Sequence, residues 1–427
     1  MKQKKKEPEW RRLDNSAKIF PISTGKKYST VFRLSAVLTE NIDKDILKEA
    51  ASEVLNNFKS FKVKMKAGFF WYYLEENEKS IIVEEEKDYP CKYIDPKTNN
   101  NYLFKITYFK NKINIDIYHA LTDGNTGRDL FKEIVYRYIE LKHKEVFKEE
   151  LRKPKKVDYD TEDSYIKNYD KKSKSNASSK KAYILRGEKI NLGAIGVFHE
   201  IIDLKQLKDI CQQNCATITQ YLTAVLIYSI YKENYQKNKR KKPIKVCIPV
   251  DLRKYFPSKT ISNFFSYITV EAYMEKDNLN NFESILEFVK NDFEKRLKQN
   301  EIVSTMSGNV KIGTNLATRV IPLFLKKILV RLSYMEIRKY TTTTFSNIGR
   351  IGIIGKYRDY IKYFIILIAP EPVEKIKCSA CTFENNLVFT FTSNLNDIKI
   401  PKRFFEFLKE KGINVEIESN GVLDDIS

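Results

Sequence analysis

The chain has 427 residues, 42% hydrophobic and 31% charged, with a formal net charge of +21. Those proportions describe an ordinary soluble globular protein with room for two or three domains, and exclude a chain too polar to bury a core. The positive surplus fits an anionic partner (nucleic acid, an acidic membrane surface, or a polyphosphate such as coenzyme A), against the plainer reading that scattered lysines are default surface composition.

Residues 1–12 are charged and expected to fray, and Lys2, Lys4, Lys5 and Lys6 lead into Glu7-Pro8-Glu9-Trp10 instead of an apolar run, so no secretory signal is expected. Residues 29–39 have the pattern of a strand, and a helix is expected from about Asp43, with Leu47, Ala50, Ala51, Val54, Leu55 and Phe58 on one stripe. Residues 62–75 form a hairpin candidate rich in aromatics. No basic residue interleaves Phe69 to Tyr73, so core packing is expected there and nucleic acid is not an expected partner.

Two adjacent strands are predicted over 102–108 and 113–118. In the second, Ile113, Ile115 and Ile117 alternate with Asn114, Asp116 and Tyr118, which carries His119 onto the isoleucine face at the strand's end. A turn over 120–124 follows, and then Phe131, Ile134, Val135, Tyr138 and Ile139 recur at helical spacing.

Residues 153–181 are polar, rich in lysine and serine, with almost nothing to bury, and are expected to form a crossover linker. The second half restarts with a strand over 197–204 and a helix from Gln206, an opening that echoes residues 29–58. A helix apolar nearly all round follows over 218–231, then strands over 244–253 and 264–272, and a helix carrying Phe282, Ile285, Leu286, Val289 and Phe293. Residues 341–344 lead as a strand into a turn at Phe345-Ser346-Asn347-Ile348-Gly349. The most apolar run, 363–369, is too short for a membrane span and suits a buried strand. The six cysteines form no disulfide framework, which suits a reducing cytoplasm. Cys378 and Cys381, three apart on a strand, face opposite sides, so no metal is expected.

One pattern carries chemistry. His119-x-x-x-Asp123-Gly124 sits at a strand–turn–helix junction in a chain with only three histidines and fourteen glycines. Chance supplies such a triplet in roughly one such chain in a few hundred. A histidine at a strand end over a helix start is placed for proton transfer, whereas the plainer reading is a core histidine beside a helix cap.

This motif resembles that of the chloramphenicol acetyltransferase-like acyltransferases. Leu13-Asp14-Asn15-Ser16-Ala17 with Ile19-Phe20-Pro21, Pro249-Val250-Asp251-Leu252-Arg253, Asn263-Phe264-Phe265 and Ser346-Asn347-Ile348-Gly349 resemble the alcohol acetyltransferase branch in particular, in the family's order. Tyr118 stands where condensation domains and the chloramphenicol enzyme carry a second histidine, and the Asp-Phe-Gly-Trp-Gly motif of the plant enzymes is absent.

The resemblance implies an α/β fold of two chloramphenicol acetyltransferase-like sandwich halves with a channel between them. The halves are expected at 1–152 and 186–427, joined by the linker 153–185. It implies acyl transfer, with acetyl the first candidate, from acyl-coenzyme A to an alcohol or amine acceptor, with His119 as general base. The alternatives are a donor bound to an acyl carrier protein, as in condensation domains, or a basic protein that binds membrane surfaces without turnover. The helix start beyond the turn should disfavour imidazolium, for a pH profile rising through about 6 to 7. The resemblance turns Asp123 away from substrate toward an arginine of the other half, for which Arg253 is the candidate; the alternative is a helix cap. Gly124 is expected to serve backbone conformation. Ser346 and Asn347 are candidates for oxyanion or acyl positioning, or for holding their turn. Residues 319–339 mix bulky apolar residues with lysine and arginine. They are expected to form a helix at the channel mouth that rests on lipid or, more plainly, packs in the core.

Overall fold

The structure, a computed structural model, describes residues 9–25, 29–148, 152, 160–173, 180–190, 193–235, 241–315 and 319–422. Three sheets and the helices covering them make up the described chain. A small sheet joins Trp10–Arg12, Tyr72–Glu76 and Val63–Ala67. Trp10–Arg12 pairs with the hairpin over residues 73–75, so this end of the charged leader is ordered rather than frayed.

The first large sheet has five strands in the order Ile361–Ile368, Val31–Leu38, Lys112–Tyr118, Phe104–Phe109 and Val83–Glu85. The second has seven, in the order Phe265–Ala272, Ile244–Asp251, Thr343–Arg350, Ile376–Phe383, Asn386–Ser393, Gly196–Asp203 and Val415–Ser419. Each is backed by helices whose apolar stripes supply its core. Lys44–Asn57 and Gly124–Lys142 cover the first, and Ile218–Glu233, Phe282–Arg296 and Lys399–Glu410 cover the second. The echo between halves is visible in how each opens. Asp43 caps Lys44–Asn57 through the backbone N–H groups of Asp45 and Ile46, and Asp203 caps Leu204–Gln213 through that of Gln206.

Strand Ile361–Ile368 crosses the division expected at the linker. It comes from the second half of the sequence yet completes the first sheet, pairing antiparallel with Val31–Leu38 along its length. The described parts of 153–185 also differ from a loose connector. Tyr165 is buried against Phe264, and its hydroxyl both donates to the Phe265 carbonyl at 2.7 Å and accepts from the Phe265 N–H at 3.0 Å. Ala182, Tyr183 and Leu185 are buried as well. A low count of apolar residues concealed that several of those present are buried. Residues 153–159 and 174–179 of that stretch lie outside the described residues.

Strand Lys112–Tyr118 is buried on both faces, not only along its isoleucines. Asn114 accepts the Ser35 hydroxyl at 2.6 Å, and Asp116 pairs with Arg33 at 2.6 Å. Alternation with polar residues therefore marks an inward polar network here, not a wet face.

Candidate active site

His119 follows strand Lys112–Tyr118, its N–H donating to the Thr30 carbonyl at 3.0 Å. The strand geometry projects the imidazole into a cavity of about 810 Å³ between the two large sheets, lined among others by Phe20, Pro249, Phe265, Ser346 and Lys377. Three phenyl rings box the imidazole. Phe20 stacks at 4.9 Å between centroids, Phe32 meets it edge-on at 5.1 Å, and Phe265 lies tilted at 5.4 Å.

The ring's orientation is set by Asn263, from the segment after Ile244–Asp251 in the other half. The His119 Nδ1 lies 2.9 Å from the Asn263 Oδ1. The Asn263 amide nitrogen donates to the Asp14 carboxylate and to the His119 carbonyl, both at 3.0 Å. With both donor directions spent, the amide oxygen is what faces the imidazole, so Nδ1 carries the proton and Nε2 keeps its lone pair. Asp14 also accepts from the N–H groups of Asn263 at 3.0 Å and Ala17 at 2.7 Å. Burial pushes the Asp14 carboxyl up to about 6, against those hydrogen bonds.

Burial within the phenyl box is also the main cause that lowers the His119 pKa below the ordinary imidazole value, opposed by the Asn263 bond and by the charge of Asp123. The direction matches the expectation drawn from the helix terminus, but the first cause is desolvation. The other histidines are placed differently. His199 faces a larger cavity, of about 1310 Å³, on the far side of the sheets, and burial lowers it to about 3. His143 is the C-terminal cap of Gly124–Lys142 and lies against Glu40.

Asp123 does both things the sequence left open. Its Oδ1 caps the helix by accepting from the Thr126 N–H at 3.2 Å, while Oδ2 accepts from Arg253 Nη1 at 2.8 Å and from the Phe264 N–H at 3.0 Å. Arg253 also donates to Asp251 at 3.2 Å and to the carbonyls of Thr260 and Ser262 at 3.0 and 3.1 Å. The Thr122 hydroxyl adds a bond to the Ile261 carbonyl at 2.6 Å. The turn that carries His119 is thus fastened to the 260–264 segment of the other half through residues 119, 122 and 123. Asp123 thereby joins the helix start to the other half.

Gly124 is not explained by conformation. It is the first residue of Gly124–Lys142, its φ lies outside the left-handed region, and an added Cβ would meet only the Ile348 side chain, at 3.6 Å. What it gives is room, since it lines the cavity beside His119. Of the two glycines that line the cavity, Gly349 is the one in left-handed backbone, at φ 72°. The expected turn at 345–349 is instead a strand, Thr343–Arg350, with a register shift between Asn347 and Arg350 that Gly349 accommodates. Asn347 is committed to that irregularity: its Oδ1 accepts from the Gly349 N–H at 2.9 Å and its amide donates to Thr219 at 3.1 Å. Ser346 lines the cavity.

Asn263, Asp14 and Phe20 are the site residues that residue-by-residue reading missed. Each lies in a stretch singled out by resemblance, and nothing in local spacing ties those stretches to His119. All six cysteines are unpaired. Cys378 and Cys381 are buried within Ile376–Phe383, and no group of three or more potential metal ligands occurs among the described residues.

Comparison with known proteins agrees with this architecture. The family model for alcohol acetyltransferase matches residues 164–350, a span that holds Arg253, Asn263, Ser346 and Asn347 but not His119. No curated protein sequence matches the chain. Among solved structures, a trichothecene 15-O-acetyltransferase from Fusarium sporotrichioides is 10% identical, with 95% of this chain and 94% of that one covered at a TM-score of 0.61. A second protein of Fusarium sporotrichioides, crystallised with coenzyme A and T-2, is 9% identical over 96% of this chain and 99% of that one, at 0.62. The first condensation domain of the CDA synthetase is 11% identical over 98% and 97%, at 0.58. At these identities the likeness is one of fold, and the fold is chloramphenicol acetyltransferase-like.

Proposed function

From a chain whose residues 164–350 match the alcohol acetyltransferase family, on a chloramphenicol acetyltransferase-like fold, we propose an acyl-coenzyme A-dependent O-acyltransferase with His119 as its general base. The observation that carries this reading is the Asn263 bond to His119 Nδ1, which leaves a proton-accepting Nε2 inside the cavity between the halves.

In the reaction, Nε2 takes the hydroxyl proton as the acceptor oxygen attacks the thioester carbonyl. The carbon–sulfur bond then breaks, and the imidazolium returns the proton to the departing thiolate. Asp123 and Arg253 hold the turn. The Ser346 hydroxyl suits an oxyanion role better than Asn347, whose amide is engaged elsewhere. Arg128 and Lys254 line the same cavity and offer charge for the donor's phosphates. One structural neighbour is a 15-O-acetyltransferase and another was crystallised with coenzyme A, which supports acetyl-coenzyme A as donor and an alcohol as acceptor. A peripheral station at a membrane in a cytoplasmic setting belongs to the same reading.

A free-thiol assay with acetyl-coenzyme A and longer acyl-coenzyme A donors against pooled alcohols and amines tests it. Thiol release with an alcohol pool is the expected result. Release only from a carrier-bound donor would move the reading to the condensation type, and no release from any thioester would remove the enzyme.

A further inference from the structure

Helix Leu323–Ile337 is built inside out. Phe324, Leu325, Ile328, Leu329 and Leu332, spaced to share one face, are 65%, 44%, 59%, 52% and 63% exposed. Two of its basic residues are spent on the protein itself. Lys326 is buried, its ammonium donating to the Phe70 carbonyl at 3.0 Å and lying 3.4 Å from the centre of the Trp71 ring. Arg331 donates through Nε to the Ile22 carbonyl at 3.2 Å. A helix that spends a lysine and an arginine on its own protein while turning its leucines outward is shaped for something other than water.

The neighbouring hairpin extends the same surface. The Leu323 N–H donates to the Phe69 carbonyl at 2.9 Å, which ties the helix start to the hairpin tip, where Phe69 and Phe70 are 72% and 42% exposed. Acids are sparse here: the helix carries one, Glu336 in its last turn, which is held between Lys181 and Lys339 at 2.5 and 2.6 Å. Residues 302–335 contain no Asp or Glu, and neither do residues 54–74, while lysine or arginine occurs at 59, 62, 64, 66, 311, 319, 326, 327 and 331.

We propose that this face, helix Leu323–Ile337 with the Phe69–Phe70 tip, docks the protein on a lipid bilayer bearing anionic headgroups. Apolar side chains flanked by basic ones, with the helix's single acid, Glu336, already paired to Lys181 and Lys339, match the acyl boundary and the negative surface of such a bilayer. A second copy of the chain is a poor occupant, because its own face brings the same predominantly basic rim and the same +21 charge. The surface adjoins the site: Tyr334 of this helix and Arg338 just beyond it line the cavity that holds His119. The inference gives the membrane part of the proposed function its surface and its lipid chemistry, and does not depend on the acyl chemistry.

Flotation of the full chain with vesicles of phosphatidylcholine containing one-third phosphatidylglycerol, against phosphatidylcholine alone, tests it. The protein should float with the anionic vesicles at least about tenfold more tightly, and less so as salt rises. The double variant Ile328→Asp, Leu332→Asp should unfold at the same denaturant midpoint, since both side chains are exposed, yet lose flotation by at least about tenfold. Phe69→Ser, on the other segment, should weaken flotation as well. A wild type that stays with the soluble fraction, a double variant that floats unchanged, or a concentration-dependent dimer abolished by the double variant in the absence of vesicle binding would each overturn the proposal. Thiol release toward a short water-soluble alcohol, measured on the same preparations, separates the two readings. Flotation without turnover sinks the acyltransferase alone, and turnover without flotation sinks the docking surface alone.

Discussion

Asn263 holds His119 from the opposite half of the molecule, its Oδ1 2.9 Å from Nδ1, and Asp14 in turn holds Asn263 by accepting from its amide at 3.0 Å. The three residues form a line in which each fixes the next, so the protonation pattern of the imidazole is decided by a carboxylate more than a hundred residues away in the chain. Asn263→Leu removes the acceptor while keeping bulk. It should lower kcat by about ten- to a hundredfold with little change in the donor KM, short of the full loss of a base. Imidazole nitrogen shifts read by NMR should move from a single tautomer toward a mixture. An unchanged tautomer in the variant would show that something else sets it.

His119→Ala should fold and bind coenzyme A, and lose acyl transfer by at least about a hundredfold. The check is single-turnover thiol release beside donor binding by calorimetry. Near-normal turnover would take His119 out of the chemistry.

The phenyl box makes a pH prediction. Because burial lowers the His119 pKa, the base stays unprotonated below the ordinary imidazole value of about 6.5, and the acid limb of the rate profile should fall below it. Phe20→Ala admits water to the stacked face and should move that limb upward. The sign for stability is fixed too: the unfolded chain takes up the proton first, so the contribution present above pH 6.5 or so is lost as pH falls through the lowered value. A limb at or above the ordinary value in the wild type would contradict the box.

Asp123 and Arg253 share a mostly buried contact at 2.8 Å. Removing either leaves a stranded charge, at about 3–5 kcal/mol, and Asp123→Ala also frees the Thr126 and Phe264 N–H groups. The double substitution should cost clearly less than the sum of the singles in denaturant unfolding. Additive costs would mean the pair does not couple.

Gly124→Ala separates room from conformation. The position has ordinary backbone and a Cβ would make only normal contact, so stability should change by no more than about 0.5 kcal/mol. Gly124→Leu should fold comparably but raise KM or abolish turnover by filling the cavity. A folding defect in the alanine variant would restore a conformational role.

What was legible in the sequence follows the range of the interactions concerned. Ile113, Ile115 and Ile117 announce a strand because periodicity is local, and the helix expected from about Asp43 was legible for the same reason. Asn263 and Asp14 were visible only as parts of motifs. Their role depends on three segments meeting in space, at sequence separations of 144 and 249 residues. The apolar run over 363–369 was readable as a strand but not as a member of the first sheet, since pairing partners leave no trace in a strand's own pattern. Helix Leu323–Ile337 misleads in the opposite sense. Its leucines suit a core helix as well as an outward one, and only the burial of Lys326 beneath them decides between the two.

Strand Ile361–Ile368 has a consequence for how the protein is made. The edge of Val31–Leu38 that it covers is exposed on the ribosome until more than three hundred further residues have been synthesised. The first half therefore emerges with an unpaired strand beside its histidine, and only the return of the chain's last third closes it. Split at the linker and produced as two polypeptides, the first piece should be aggregation-prone on its own and become soluble when the second is supplied during synthesis.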